Sequence, residues 1–192
     1  MIMDFIIPLI SIMVAEFGDK TQIAIVSMSL KYKNSFQIFF GVMLAFFIID
    51  GLAIYFAKEI SDFISIFWLK IISGLIFIFF GIIGFYTKNE IEDITSKKSS
   101  IKKFKSPFLS IFIIILFAEF GDKSQIVAGL FATIYDPILV FIGVLIGLSF
   151  LTLIAIFFGN FLFKKFNKNK LEVIANYSFI LLGLITIFSI LI

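Results

Sequence analysis

The strongest constraint on this chain is a set of apolar runs too long for a water-soluble fold. A hydrocarbon core of about 30 Å is crossed by about 20 helical residues. Six stretches reach or exceed that length: Phe5 to Leu30, Phe36 to Ala57, Ile64 to Tyr86, Phe108 to Thr133, Ile138 to Phe163 and Leu171 to Ile192. None shows the polar alternation, in segments of about ten residues, that a membrane barrel would need. Composition agrees, with 61% of the 192 residues hydrophobic and 15% charged, against about 45–50% and about 25% in an ordinary soluble domain. The expected fold is an all-α membrane protein with six transmembrane helices. Because the first run is long, lacks a basic segment before it and contains Glu16, Asp19 and Lys20, it is expected to be retained rather than cleaved as a signal peptide.

The chain has no cysteine and no histidine, which excludes disulfides and thiolate metal chemistry and leaves proton handling to carboxylates or lysines. All 16 basic residues are lysines, and they set the expected orientation. Lys31 and Lys33 follow the first run, six lysines between Lys88 and Lys105 follow the third, and Lys164, Lys165, Lys168 and Lys170 follow the fifth. On the other side only Lys58 and Lys70 lie near a loop. By the positive-inside rule the lysine-rich loops are cytoplasmic and both termini lie outside. Lysines placed beside apolar spans also argue against nucleic acid as a partner; the lipid bilayer is the expected one. Residues 87–106 alone have soluble composition and read as a flexible cytoplasmic linker.

That linker separates two copies of one repeat, 1–86 and 107–192. Residues 15–23 (Ala-Glu-Phe-Gly-Asp-Lys-Thr-Gln-Ile) match residues 118–126 at eight of nine positions, with Ser124 replacing Thr21. Softer matches pair Gly41-Val42 with Gly143-Val144 and Gly81 with Gly183. Three spans per repeat is an odd number, so the second copy enters from the opposite side, the inverted arrangement of many secondary transporters. Glu16 and Glu119 are each twelfth in their runs. Both fall at mid-membrane, where a pseudo-two-fold axis would bring the motifs face to face.

On a continuous helix Glu16, Asp19 and Lys20 would share a face, as would Glu119, Asp122 and Lys123, with Gln22 and Gln125 extending the polar stripe. Gly18 and Gly121 permit either close helix approach or a local break. Charges at the bilayer centre cost at least about 2.5–3.5 kcal/mol each on insertion scales, so two such clusters need a reason. Intrahelical salt bridges would not require two acids per lysine; Lys20 and Lys123 suit the part of counter-ions. Four carboxylates and two ammonium groups sum to −2, which one divalent cation or two protons would neutralise. Oxygen donors of this kind suit calcium, magnesium or manganese. Asp50, opposite Thr152 in the repeat alignment, is a further acid, read either as a proton carrier or ligand or as a group reached by water or Lys58. Asp136-Pro137 reads as an ordinary turn.

The doubled Glu-x-Gly-Asp-Lys-(Thr/Ser) pattern resembles the cation transporter family of the Golgi transmembrane protein and yeast Gdt-one type, over essentially the whole chain. The resemblance implies export of manganese or calcium, in exchange for protons, with no resident cofactor. It implies Glu16, Asp19, Glu119 and Asp122 as metal ligands, with Thr21 and Ser124 as polar neighbours. Lacking the amino-terminal extension of organellar members, the chain is expected in a plasma membrane. Other readings are an exporter of small organic solutes, an intramembrane lipid diphosphate hydrolase, and a structural assembly factor. The hydrolase is disfavoured by the missing arginines and histidines. The assembly role leaves the buried acids unexplained.

Overall fold

The computed structural model describes residues 2–32, 34–86, 106–165 and 168–190. Lys33 and the linker up to 105 fall outside the described residues, as do the side chains of Lys20, Lys164, Lys165, Lys168 and Lys170. Eight helices make up the described chain: α1 (Ile2–Glu16), α2 (Lys20–Tyr32), α3 (Ser35–Ser61), α4 (Ile66–Tyr86), α5 (Pro107–Glu119), α6 (Lys123–Ile134), α7 (Pro137–Lys165) and α8 (Lys168–Phe188). No strand occurs among the described residues. Stretches 35–61, 66–83 and 137–158 are each long and apolar enough to cross a membrane.

The first and fourth apolar runs are not continuous helices. Each is two shorter helices joined at the Phe-Gly of the motif, which settles the choice left open by Gly18 and Gly121. It also removes the shared helical face expected of Glu16, Asp19 and Lys20, because helical periodicity does not carry across the break. At the ends of the long helices the two halves use matching devices. Asn34 Oδ1 accepts from Gln37 N–H (3.2 Å) at the start of α3, and Asp136 Oδ1 accepts from Ile138 and Leu139 N–H (both 3.0 Å) at the start of α7. Such caps satisfy N–H groups that have no partner within the helix. Asp136 is therefore the turn and cap residue its Asp-Pro context suggests.

Packing follows the same correspondence. α3 lies against α5 and α6, α7 lies against α1 and α2, and the two long helices touch each other. Gly41 brings α3 so near α5 that an added Cβ would stand 2.6 Å from the Phe108 carbonyl oxygen; at Gly143 it would stand 2.6 Å from that of Phe5 on α1. Among lipid-embedded helices, close backbone approach takes the place of hydrophobic expulsion as the source of association. α4 and α8 form the third close pair, where a Cβ on Gly183 would meet the Gly74 carbonyl oxygen at 2.5 Å. Lys70 Nζ fastens the end of this pair by donating to the Ser189 carbonyl (3.0 Å). The outward faces carry large apolar side chains, among them Phe36, Phe40, Phe47 and Tyr55 on α3, a surface suited to acyl chains rather than water. Ile38, Val42, Ala45, Phe46 and Ile49 on the opposite side of α3 enter the core.

Candidate metal centre

The residues Glu-Phe-Gly-Asp make the same turn twice. Asp19 N–H donates to the Glu16 carbonyl (3.2 Å) and Asp122 N–H to the Glu119 carbonyl (3.0 Å). Phe120 has φ −62° and ψ 114°, and Gly121 has φ 79°. These are the angles of a type II β-turn, whose third position requires positive φ and so favours glycine. Gly18, at φ 86°, occupies the equivalent place in the first copy. The sequence thus ends α1 and α5 in mid-run and starts α2 and α6 two residues past each glycine.

These breaks place charge against the grain of the helix dipoles. A helix carries partial negative charge at its C-terminus and partial positive charge at its N-terminus. Glu16 and Glu119 are nevertheless the last residues of α1 and α5, while Lys123 opens α6. Each choice opposes local stability. The two glutamates gather negative potential where α1 and α5 end, the terminus that coordinates cations in transporters with discontinuous helices, and Lys123 offsets part of it.

The two ends converge. One carboxylate oxygen from each of Glu16, Glu119 and Asp122 lies within 4.8 Å of the others. Both glutamates are 2% exposed, and neither oxygen of Glu16 has a hydrogen-bond partner. Ser124 Oγ donates to Glu119 Oε2 (3.2 Å). The charges acting on Glu16 are those of Glu119, Asp19 and Asp122, opposed by Lys123. Like charges drawn together away from water are costly unless something positive joins them. Carboxylate oxygens at this spacing form a hard donor set for an oxygen-loving divalent cation.

Of the expected ligands, Glu16, Glu119 and Asp122 form this set, and Asp19 stands outside it on the first turn. Asp50, 3% exposed on α3, has an oxygen without a hydrogen-bond partner and lies within electrostatic reach of Glu119. Its carboxyl is therefore enclosed within the bundle. Thr21, Gln22 and Ser124 are buried, and Lys123 and Gln125 are half-buried. Gln22 and Gln125 bond to the turns rather than extending a stripe. Sequence reasoning missed Thr152. It is buried on α7 and lines, with Glu16, Thr21, Gln22, Phe46 and Leu148, a cavity of about 10 Å³, close to the ~10–15 Å³ that holds one water. The available signal was its place opposite Asp50 in the repeat.

An apolar-faced helical bundle enclosing a convergent carboxylate centre defines a class: α-helical membrane proteins whose buried site suits a cation. Comparison with known proteins narrows the class to a family. Residues 4–92 and 107–191 match the family described as "Divalent cation/proton antiporter GDT1", and the chain belongs to it. It is 26% identical over 190 residues to "GDT1-like protein 3" of Oryza sativa subsp. indica, covering 88% of this chain and 68% of the relative. It is also 26% identical over 187 residues to a Vibrio cholerae protein named "Putative manganese exporter", covering 95% of this chain and 89% of the relative. "GDT1-like protein 3" of Arabidopsis thaliana is 26% identical over 191 residues, covering 88% of this chain and 65% of the relative. No solved structure matches.

Proposed function

We propose that this protein exports divalent cations, manganese foremost and calcium as the alternative cargo, from the cytoplasm in exchange for protons. The observation that carries this reading is the convergence of Glu16, Glu119 and Asp122, from distant parts of the sequence, on one buried centre. Glu16, Glu119 and Asp122 hold the cation, and Asp19 and Asp50 contribute charge beside it. Thr21, Ser124, Gln22 and Gln125 are the polar neighbours. Lys20 and Lys123 are counter-ions that make the centre tolerable between cargoes. Four motif carboxylates and two lysines sum to −2, so one divalent ion and two protons are interchangeable occupants. That interchange is the chemical basis of antiport, and the work is transport rather than catalysis.

In this reading the chain crosses a plasma membrane six times as two inverted repeats, 1–86 and 107–192, with residues 87–106 cytoplasmic and both termini outside. Matching caps at Asn34 and Asp136 and matching helix contacts at Gly41 and Gly143 support the repeat. The lysine distribution supports the orientation.

The experiment is uptake of manganese and calcium into proteoliposomes under an imposed pH gradient. Metal movement driven by the gradient, with proton movement in the opposite direction, is the expected result. Because protons and metal neutralise the same carboxylates, apparent metal affinity falls as pH falls. Transport indifferent to the gradient, or confined to zinc or copper, would rule the reading out.

A further inference from the structure

The two turns share a contact that the motif chemistry does not by itself require. Gly18 N–H donates to Gln22 Oε1 (3.4 Å), and Gly121 N–H donates to Gln125 Oε1 (2.8 Å). In a type II turn the amide of the third residue is turned out of the helical ladder, and in a membrane interior it must find a partner within the protein. The same side chain, four residues on, supplies that partner in both halves. Gln22 has a second feature. It is 5% exposed, its Nε2 has no hydrogen-bond partner, and it lines the small cavity shared by Glu16 and Thr152.

We infer that Gln22 and Gln125 are positioning residues of the transport site, each clasping a turn glycine through Oε1 and thereby fixing the glutamate two residues before that glycine. Gln22 Nε2, in addition, furnishes a donor on the Glu16 side of the centre. The inference rests on reading the carboxylate centre as the cation site. Leucine at either position removes the accepting oxygen. Glutamate keeps an accepting oxygen in either protonation state, but at position 22 its ionised form also replaces the Nε2 donor with a charged acceptor beside Glu16.

The test compares Gln22→Leu, Gln125→Leu, Gln22→Glu and Gln125→Glu in full-length protein labelled with 15N-glycine, read by amide hydrogen exchange and by manganese uptake into proteoliposomes. In each leucine variant the corresponding glycine amide exchanges at least about tenfold faster, and KM for manganese rises about tenfold while the maximal rate changes less. Gln125→Glu restores both amide protection and KM to within about threefold of the parent. Gln22→Glu restores amide protection of Gly18 but not KM. Should Gln22→Leu fail to fold, Gln125→Leu carries the test, since that side chain is only half-buried. Unchanged amide exchange in the leucine variants overturns the clasp, and released amides with unchanged KM overturn the positioning role. A parent protein that exchanges no metal for protons removes the antiport reading and this inference together. An active parent with unaffected leucine variants removes the inference alone.

Discussion

The two broken helices share eight of nine motif residues and differ in what surrounds them. The first turn is half-buried, and Glu16 beside it faces a small cavity lined by neutral Thr152. The second stands at the edge of the bundle, with Phe117 76% and Phe120 73% exposed and open space around Gly121. Its Glu119 receives the Ser124 hydroxyl and lies in the field of Asp50. The lesson is a division of labour. The motif specifies the turn and the donors, whereas the long helix crossing it, α7 for the first copy and α3 for the second, specifies the electrostatic setting.

The largest effect comes from asking whether two such different settings act as one site. Glu16→Gln and Glu119→Gln should each lower metal/proton exchange by more than the ~10–100-fold typical of losing a group outside the ligand set. Two independent sites would instead leave partial activity in each single variant and lose it only in the double one. Expression and membrane insertion must be matched before rates are compared.

A smaller effect sharpens the contrast between α3 and α7. Asp50→Thr gives α3 the residue that α7 carries at the corresponding position, and it should weaken apparent manganese affinity about tenfold. Normal affinity in that variant, measured by uptake, would show that the halves are chemically equivalent after all.

The turns themselves should respond alike despite their settings. Gly18→Ala and Gly121→Ala should each cost roughly 1–2 kcal/mol, the penalty of a left-handed backbone for an L-residue. At 121 this is purely conformational, since a Cβ there meets nothing within 4 Å. Thermal unfolding in detergent reads the change, and Gly121→Ala without destabilisation would contradict the positive-φ turn.

Hydroxyls beside the glutamates give the smallest effect. Ser124→Ala removes a hydrogen bond to Glu119 worth about 0.5–1.5 kcal/mol and should weaken metal binding a few-fold. Thr21→Val should do less, because Glu16 receives no hydrogen bond. Equal losses in a binding titration would erase this distinction.

Much of this was legible beforehand. Long apolar runs fix the helical membrane class because lipid leaves the backbone few other solutions, and the doubled motif locates the buried acids. The break was not legible, since glycine within an apolar run is compatible with close packing as well as with a turn. Asp19 and Asp122 occupy the same motif position, yet only Asp122 joins the carboxylate set; that difference arises from tertiary surroundings that no local pattern encodes. Thr152 was marked only by its place opposite Asp50, and its part in the site was hidden for a related reason. A threonine in an apolar helix can bond its own backbone, and its exposure to a site depends on which neighbour the helix faces.

Glutamates seated at the C-terminal ends of α1 and α5 also bear on how such a chain changes over generations. Each acid opposes its helix dipole by about 0.3–1 kcal/mol and is enclosed among like charges, so replacement by glutamine or leucine should raise stability. A copy of this gene selected for folding but no longer for function should therefore lose these acids early while keeping its caps and packed glycines, and it would encode a sturdier protein without its carboxylate centre.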